Sequence, residues 1–269
     1  MKRIAGAVLV AVAAGFVVIG FAGPAGAADN ASVSVVHGIP KTPVNVFVDD
    51  KLTLRSFQPG TVAGPLSLAA GSYRVEVFPA ANTAGTGNPV ISATAQVPAG
   101  ANVTLAAHLT ADGKPTITPF VNDVSKLPAG QARLIVRHTA AAPAVDVRAG
   151  GTAVIKGLTY PRQQALTLPA ATVNADVVLA GTDTVVLGPA DVALKEGTAT
   201  IVYAIGSAEQ KTLGLVVQTI GDLHSSPSGV PAGSGGSAAA GVPSWLVLTV
   251  GLGLLLAAGG GARLAVSRR

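Results

Sequence analysis

Apolar residues fall at every second position over short stretches of this chain, with polar or small residues between them. Val33-Val35-His37, Val44-Val46-Val48, Tyr73-Val75-Val77 and Leu105-Ala107-Leu109 all read this way. A period of two is the mark of a half-buried strand, because successive side chains leave opposite faces of a sheet. The second half repeats the pattern with Leu134-Val136-His138, Val145-Val147 and Ile201-Tyr203-Ile205. Turn formers such as Asp49-Asp50-Lys51, Gln58-Pro59-Gly60 and Ala111-Asp112-Gly113 separate the runs, at a spacing of about 8–12 residues. No helix-period segment of useful length lies between the two ends. The pattern predicts an all-β body: tandem immunoglobulin-like antiparallel β-sandwich domains of about seven or eight strands each.

The tandem reading comes from an internal repeat. His37 aligns with His138, Val44 with Val145, Asn45 with Asp146 and Val46 with Val147, an offset of 101. PLSLAAGSYRVEV then aligns with ALTLPAATVNADV at an offset of 100, and NVTLAAHL with TATIVYAI at 96. Two copies, at 30–125 and 130–220, fill the body, joined by the short hinge Ser125–Gly130. Each is domain-sized, so this is a pair rather than a solenoid.

The ends have a different character. Lys2-Arg3, an apolar run and the small-residue site Ala25-Gly26-Ala27 predict a secretory signal peptide over 1–27. Residues 221–242 read as a flexible Ser/Gly/Ala/Pro linker. Residues 243–262 are uncharged and long enough to cross a bilayer, and the tail 263–269 carries Arg263, Arg268 and Arg269. The expected localisation is a single-pass protein of the cell membrane, with its body extracellular and its C-terminus cytoplasmic.

Charge changes the picture less than the total suggests. The formal net charge is +5, but the five excess basic residues are Lys2, Arg3, Arg263, Arg268 and Arg269. The body between them is neutral and offers no electrostatic footprint for phosphates, which argues against nucleic acid as a partner. With 0 cysteines there is no disulfide framework, thiolate nucleophile or Cys-based zinc site.

The candidate chemistry lies in VVHGIPKTPVNVFVDDK, Val35–Lys51. One histidine, one asparagine and two aspartates there resemble an acid/base or metal cluster. The second copy keeps His138 and Asp146 in register but has Gly150-Gly151 in place of Asp49-Asp50. Asp-Asp and Gly-Gly share a tolerance of positive φ, not a ligand chemistry, so both pairs predict a two-residue hairpin turn. His37 and His138 share parity with the inward valines and are expected to fasten the Pro-rich crossover that follows each strand. Asn45 and Asp146 fall on the opposite face, where short polar side chains bond nearby backbone. His108, among Thr and Ala, is expected to be solvated, and His224 to lie in the linker. Ala84–Pro89 reads as a long Gly-rich loop. Phe57, Phe78 and Tyr160 are the candidates for exposed aromatics. No catalytic, cofactor-binding or metal-ligating residue is assigned, and no G-x-S-x-G, H-E-x-x-H or P-loop pattern occurs.

VSVVHGIPKTPVNVFVDDKLTL, VRHTAAAPAVDVRAGG and the linker LHSSPSGVPAGSGG resemble the bacterial surface family called domain of unknown function 4397, in particular its two-copy actinobacterial members. The resemblance implies an extracytoplasmic β-sandwich with no assigned activity. This chain departs from that family at Asn45, where Asp is usual, and at Asp50, where Gly is usual, so neither position supplies an obligatory carboxylate. The expected function is that of a non-enzymatic interaction module for a protein or glycan of the cell envelope. The alternative is a structural spacer with no dedicated ligand.

Overall fold

The computed structural model describes residues 29–225. The expected signal peptide, most of the linker, the expected membrane-spanning segment and the tail lie outside the described residues. Among the described residues no helix is long and apolar enough to cross a membrane.

The first copy contains β1 (Ala31–His37), β2 (Val44–Val48), β3 (Lys51–Phe57), β4 (Val62–Leu68), β5 (Gly71–Pro79), β6 (Ile91–Val97), β7 (Asn102–Leu109) and β8 (Pro115–Val121). The second contains β9 (Gln131–His138), β10 (Val145–Ala149), β11 (Thr152–Leu158), β12 (Gln163–Pro169), β13 (Ala171–Leu179), β14 (Val185–Leu194), β15 (Ala199–Ile205) and β16 (Gly214–Ile220). The sheet orders β4-β1-β7-β8 and β3-β2-β5-β6 recur as β12-β9-β15-β16 and β11-β10-β13-β14. Both copies are therefore two-sheet sandwiches of one topology.

Two expectations about these sheets need correction. They are not wholly antiparallel: β1 runs parallel to β7, and β9 parallel to β15. The resulting order also differs from the ABED and CFG sheets of an immunoglobulin domain. Periodicity marks strands but carries no information about which neighbour a strand takes or in which direction. The repeat also slips in its last segment. β1 pairs His37 with Ala107, whereas β9 pairs His138 with Ala204, so the offset there is 97, not 96. A slip of one residue exchanges the faces. Here it arose because every residue of β15 is buried, which removes the polar–apolar contrast that would set the register.

Three apolar layers separate four sheets. Val33, Val46, Val77 and Leu105 fill the first sandwich, and Leu134, Val147, Ile155 and Val202 fill the second. Between the copies, Val36, Ala106 and Phe120 pack on Ile135, Ile201, Tyr203 and Ile205. The sheets containing β1 and β9 are thus covered on both faces. Their strands lose the half-buried pattern: β7 and β9 are buried at all but their first residue.

The hinge is clamped. Arg133 donates from Nη1 to the carbonyls of Asp123 (2.8 Å) and Ser125 (3.2 Å), and from Nη2 to Ser125 Oγ (2.9 Å). Leu127 N–H donates to Leu223 O, and Ser225 N–H donates back to Leu127 O. The first residues of the expected linker are therefore anchored, because buried Leu223 packs with Leu127 and Ala199. His224 sits in this bridge with its ring over Gly197 rather than in free linker.

Candidate functional site

Each copy builds the same crossover around its histidine. His37 Nε2 lies 3.0 Å from Thr42 O, and His138 Nε2 lies 2.8 Å from Pro143 O. A carbonyl only accepts, so Nε2 carries the proton and Nδ1 is left as a lone pair. Both Nδ1 atoms are buried without a partner. Protonating either would bury an unsatisfied N–H, and burial holds both rings below the ordinary histidine value. These rings are built to stay neutral.

Asn45 and Asp146 tie the same two segments with different atoms. Asn45 Nδ2 donates to Ala80 O (3.1 Å) and Asn82 O (2.8 Å), and its Oδ1 accepts from Ser56 N–H (2.7 Å). Asp146 instead accepts twice, from Gly157 N–H (2.6 Å) and Gly181 N–H (3.0 Å). Those two bonds, with Gly181 the larger influence, hold the Asp146 carboxyl below the ordinary carboxylate range. The change from Asn to Asp follows a change in what the facing loop presents: carbonyls in the first copy, an amide in the second.

Asp49 and Asp50 occupy the β2–β3 turn at φ of 46° and 64°, and Gly150 and Gly151 the β10–β11 turn at 55° and 81°. Two successive positive φ values are the type I′ geometry that matches strand twist. Asp49 Oδ1 accepts from Arg74 N–H at 2.8 Å, and Asp50 pairs with the Arg74 guanidinium. Among the described residues, no group of three or more His, Cys, Asp or Glu is placed to hold a metal ion.

The outer faces of the two copies diverge. In the first, eleven residues separate β5 from β6, and this loop folds down onto the sheet. Asn82 Oδ1 accepts from Gly85 N–H at 3.0 Å. Gly85 then lies so close to Phe47 that a Cβ would sit 2.7 Å from the ring. Phe47 meets Phe78 edge-on at 5.4 Å. In the second copy the connection is five residues, and Arg148 and Val178 stand where Phe47 and Phe78 stand. The shorter loop reaches Asp146 through Gly181 and leaves Val178 buried, and beside it the face forms a hollow of about 300 Å³ lined by Asp146, Arg148, Lys156, Thr182 and Asp183. Arg148 holds Asp176 through Nε (2.8 Å) and Nη2 (2.7 Å), and Asp183 through Nη1 (3.0 Å).

Several expectations about exposure are overturned. His108 is fully buried, not solvated, because its face of β7 is covered by the second copy. Its Nδ1 donates to Leu109 O (2.9 Å) and its Nε2 accepts from Thr118 Oγ1 (2.8 Å). Tyr160 packs edge-on against it at 5.6 Å and is half-buried. Phe57 and Phe78 are buried too, the former against His37 at 5.5 Å. None of the three aromatics forms an exposed platform.

Arg137 lies outside the candidate chemistry of the sequence. It is completely buried between the copies, with no carboxylate partner among the described residues. Nε donates to Gln163 Oε1 (2.7 Å), Nη1 to Tyr203 OH (2.6 Å) and Nη2 to Asn122 Oδ1 (2.7 Å). The guanidinium also lies over Phe120, 4.3 Å from its centroid. Tyr203 OH donates onward to Gln218 Oε1 at 2.7 Å, and Thr104 Oγ1 donates to the same oxygen at 3.1 Å. The available signal was Arg133-Ile135-Arg137 on one face of a strand, which reads equally well as a solvated face.

Fold and site together define a fused pair of eight-stranded β-sandwiches whose polar clusters organise crossovers, turns and the joint. Residues 31–148 match the family described as Domain of unknown function (DUF4397), a stretch covering the first copy and reaching through Arg148 of the second. No curated protein matches the sequence. Among solved structures, a "putative cell adhesion protein" from Bacteroides ovatus ATCC 8483 is similar at 11% identity and a TM-score of 0.24, over 73% of this chain and 98% of its own. At that TM-score the likeness carries no argument.

Proposed function

We propose that this protein is a membrane-anchored, extracytoplasmic interaction module of the cell envelope. The observation that supports this most is the difference between its two outer faces. The outer face around Phe47 is sealed by an intramolecular loop in the first copy, whereas in the second a shorter loop leaves a hollow with charged walls beside buried Val178. A spacer needs no such divergence between duplicates. Fixed donors and acceptors in a concave site suit a hydroxyl-rich glycan or a polar protein loop. Anchoring rests on the sequence at residues 1–27 and 243–262. The role is binding, and no reaction is assigned.

The alternative is a spacer, favoured by the buried Arg137 cluster, which makes the two copies one stiff unit. The soluble body, residues 28–225, is to be tested against purified envelope polysaccharide and detergent-extracted envelope proteins. Its partner is then tested against Lys156→Glu and Asp183→Lys. Saturable binding lost in both variants is expected. Absence of any binding, or binding indifferent to both changes, returns the spacer.

A further inference from the structure

Among the described residues eight strands lie at sheet edges, and an edge strand is a template for another chain unless something blocks it. Six carry a block. β3 has Lys51, Arg55 and a register shift; β4 has Pro65 and a shift; β11 has Lys156 and a shift. β14 has Pro189, Asp191 and shifts, β12 ends in Pro169, and β8 has Pro115 and Pro119. The remaining two are β6 and β16. β6 projects Ser92, Thr94 and Gln96 to solvent. β16, GLVVQTI, has no charge, no proline and an unbroken register with β15, and it exposes Leu215 and Val217 at 36% and 52%.

The contrast between duplicates is specific. β16 occupies the position in its sheet that β8 occupies in the first copy, and only β8 has prolines. The backbone direction follows from the ladder. Thr139 N–H donates to Ala204 O, so Ala204 faces β9 and, by alternation, Tyr203 and Ile205 face β16. Their partners Val216 and Gly214 turn inward, which leaves Leu215, Val217 and Thr219 with N–H and C=O groups aimed off the sheet.

We infer that β16 is a strand-addition surface and that its partner is β16 of a second copy of this chain. A two-fold axis at Val217 pairs all seven residues of the strand antiparallel, Leu215 opposite Thr219 and Val217 opposite its mate. The strand carries no charge to repel itself. Exposed Lys211 and exposed Asp222 flank opposite ends of the strand, so antiparallel pairing turns the Lys211 end of one copy toward the Asp222 end of the other. An uncharged strand flanked by opposite charges meets its own copy without like-charge repulsion along the seam, which favours self-pairing over a foreign strand. Two four-stranded sheets become one of eight, and the exposed Leu215 and Val217 gain cross-strand neighbours.

The chain has 0 cysteines, so Val217→Cys in the full-length protein places one thiol at the axis. A hydrogen-bonded antiparallel pair has a Cα separation of about 5.5 Å, within disulfide range. Mild oxidation is expected to give a covalent dimer of Val217→Cys, while Val121→Cys on β8, 59% exposed, stays mostly monomeric. By light scattering in mild detergent the wild type is expected to be a dimer. Val217→Lys, whose charges meet at the axis, is expected to be a monomer of unchanged circular dichroism. Equal cross-linking at both positions, a monomeric wild type, or a dimer that survives Val217→Lys overturns the proposal. So does photo-cross-linking from residue 217 to a different polypeptide, which assigns the edge to a foreign strand.

Discussion

Arg137 of the second copy donates from Nη2 to Asn122 Oδ1 of the first at 2.7 Å, and both residues are buried. The bond joins the two duplicates through a buried cation and a neutral amide. Burial pulls the guanidinium below its ordinary value, while the Tyr203 hydroxyl and its hydrogen bond oppose that shift. The charge is thus dispersed over three neutral acceptors and two aromatic rings, an arrangement that a single ammonium cannot reproduce.

Arg137→Ala leaves Gln163 Oε1 and Asn122 Oδ1 without their donor and opens a void over Phe120. The expected loss is about 3 kcal/mol in urea unfolding, and Arg137→Lys recovers less than half of it. A change within about 0.5 kcal/mol, the range of an ordinary surface substitution, would refute the buried role.

The second sandwich is less well filled. A cavity of about 50 Å³ lies among Leu158, Val173, Ala175 and Val202. The first copy has Phe57, Tyr73, Val75 and Leu105 at the same register positions. Leu158→Phe is expected to stabilise the protein by about 1 kcal/mol, and Phe57→Leu to destabilise it by a similar amount. Thermal unfolding reads both; a destabilised Leu158→Phe would show that the ring does not fit the void.

The buried histidines set an acid limit. His37, His108 and His138 all lie below the ordinary value of 6.5, with burial as the main cause. As pH falls below 6.5 the unfolded chain takes up protons that the folded chain refuses, so stability falls. Above 6.5 this contribution is fully present. A second loss is expected below the ordinary aspartate value of 3.8, from Asp123 with its Ser125 bonds and Asp146 with its Gly181 and Gly157 bonds. Urea unfolding at pH 7.5 and 5.5 should show the first decline, and His37→Gln/His138→Gln should flatten it. An unchanged slope in the double variant would clear these rings of responsibility.

Asn45 and Asp146 occupy one register position, yet exchanging them should harm both copies. Asn45→Asp turns two donors toward the carbonyls of Ala80 and Asn82 into acceptors, at an expected loss of about 2 kcal/mol. Asp146→Asn aims an amide at a backbone N–H and should lower the melting temperature, less so than Asn45→Asp. Calorimetry of both variants checks the order; a tolerated Asn45→Asp would mean the loop re-forms around it.

The sequence by itself determined the strands, the duplication and the hairpin residues. These depend on local physics: alternation for a two-faced strand, positive φ for Asp49-Asp50 and Gly150-Gly151, and equal spacing of His37 and His138 from the residues they face. Tertiary structure alone decided what lies against each face. Alternation separates the two sides of β7 and β9 but does not identify solvent, so His108 and Arg137 sat on faces that read as wet and are dry. The same ambiguity moved β15 by one residue, because a strand buried on both sides has no polar face to set its register. Pairing direction, the seal of the β5–β6 loop over Phe47 and the unblocked edge at β16 likewise depend on segments distant in the chain, whose contacts no local pattern records.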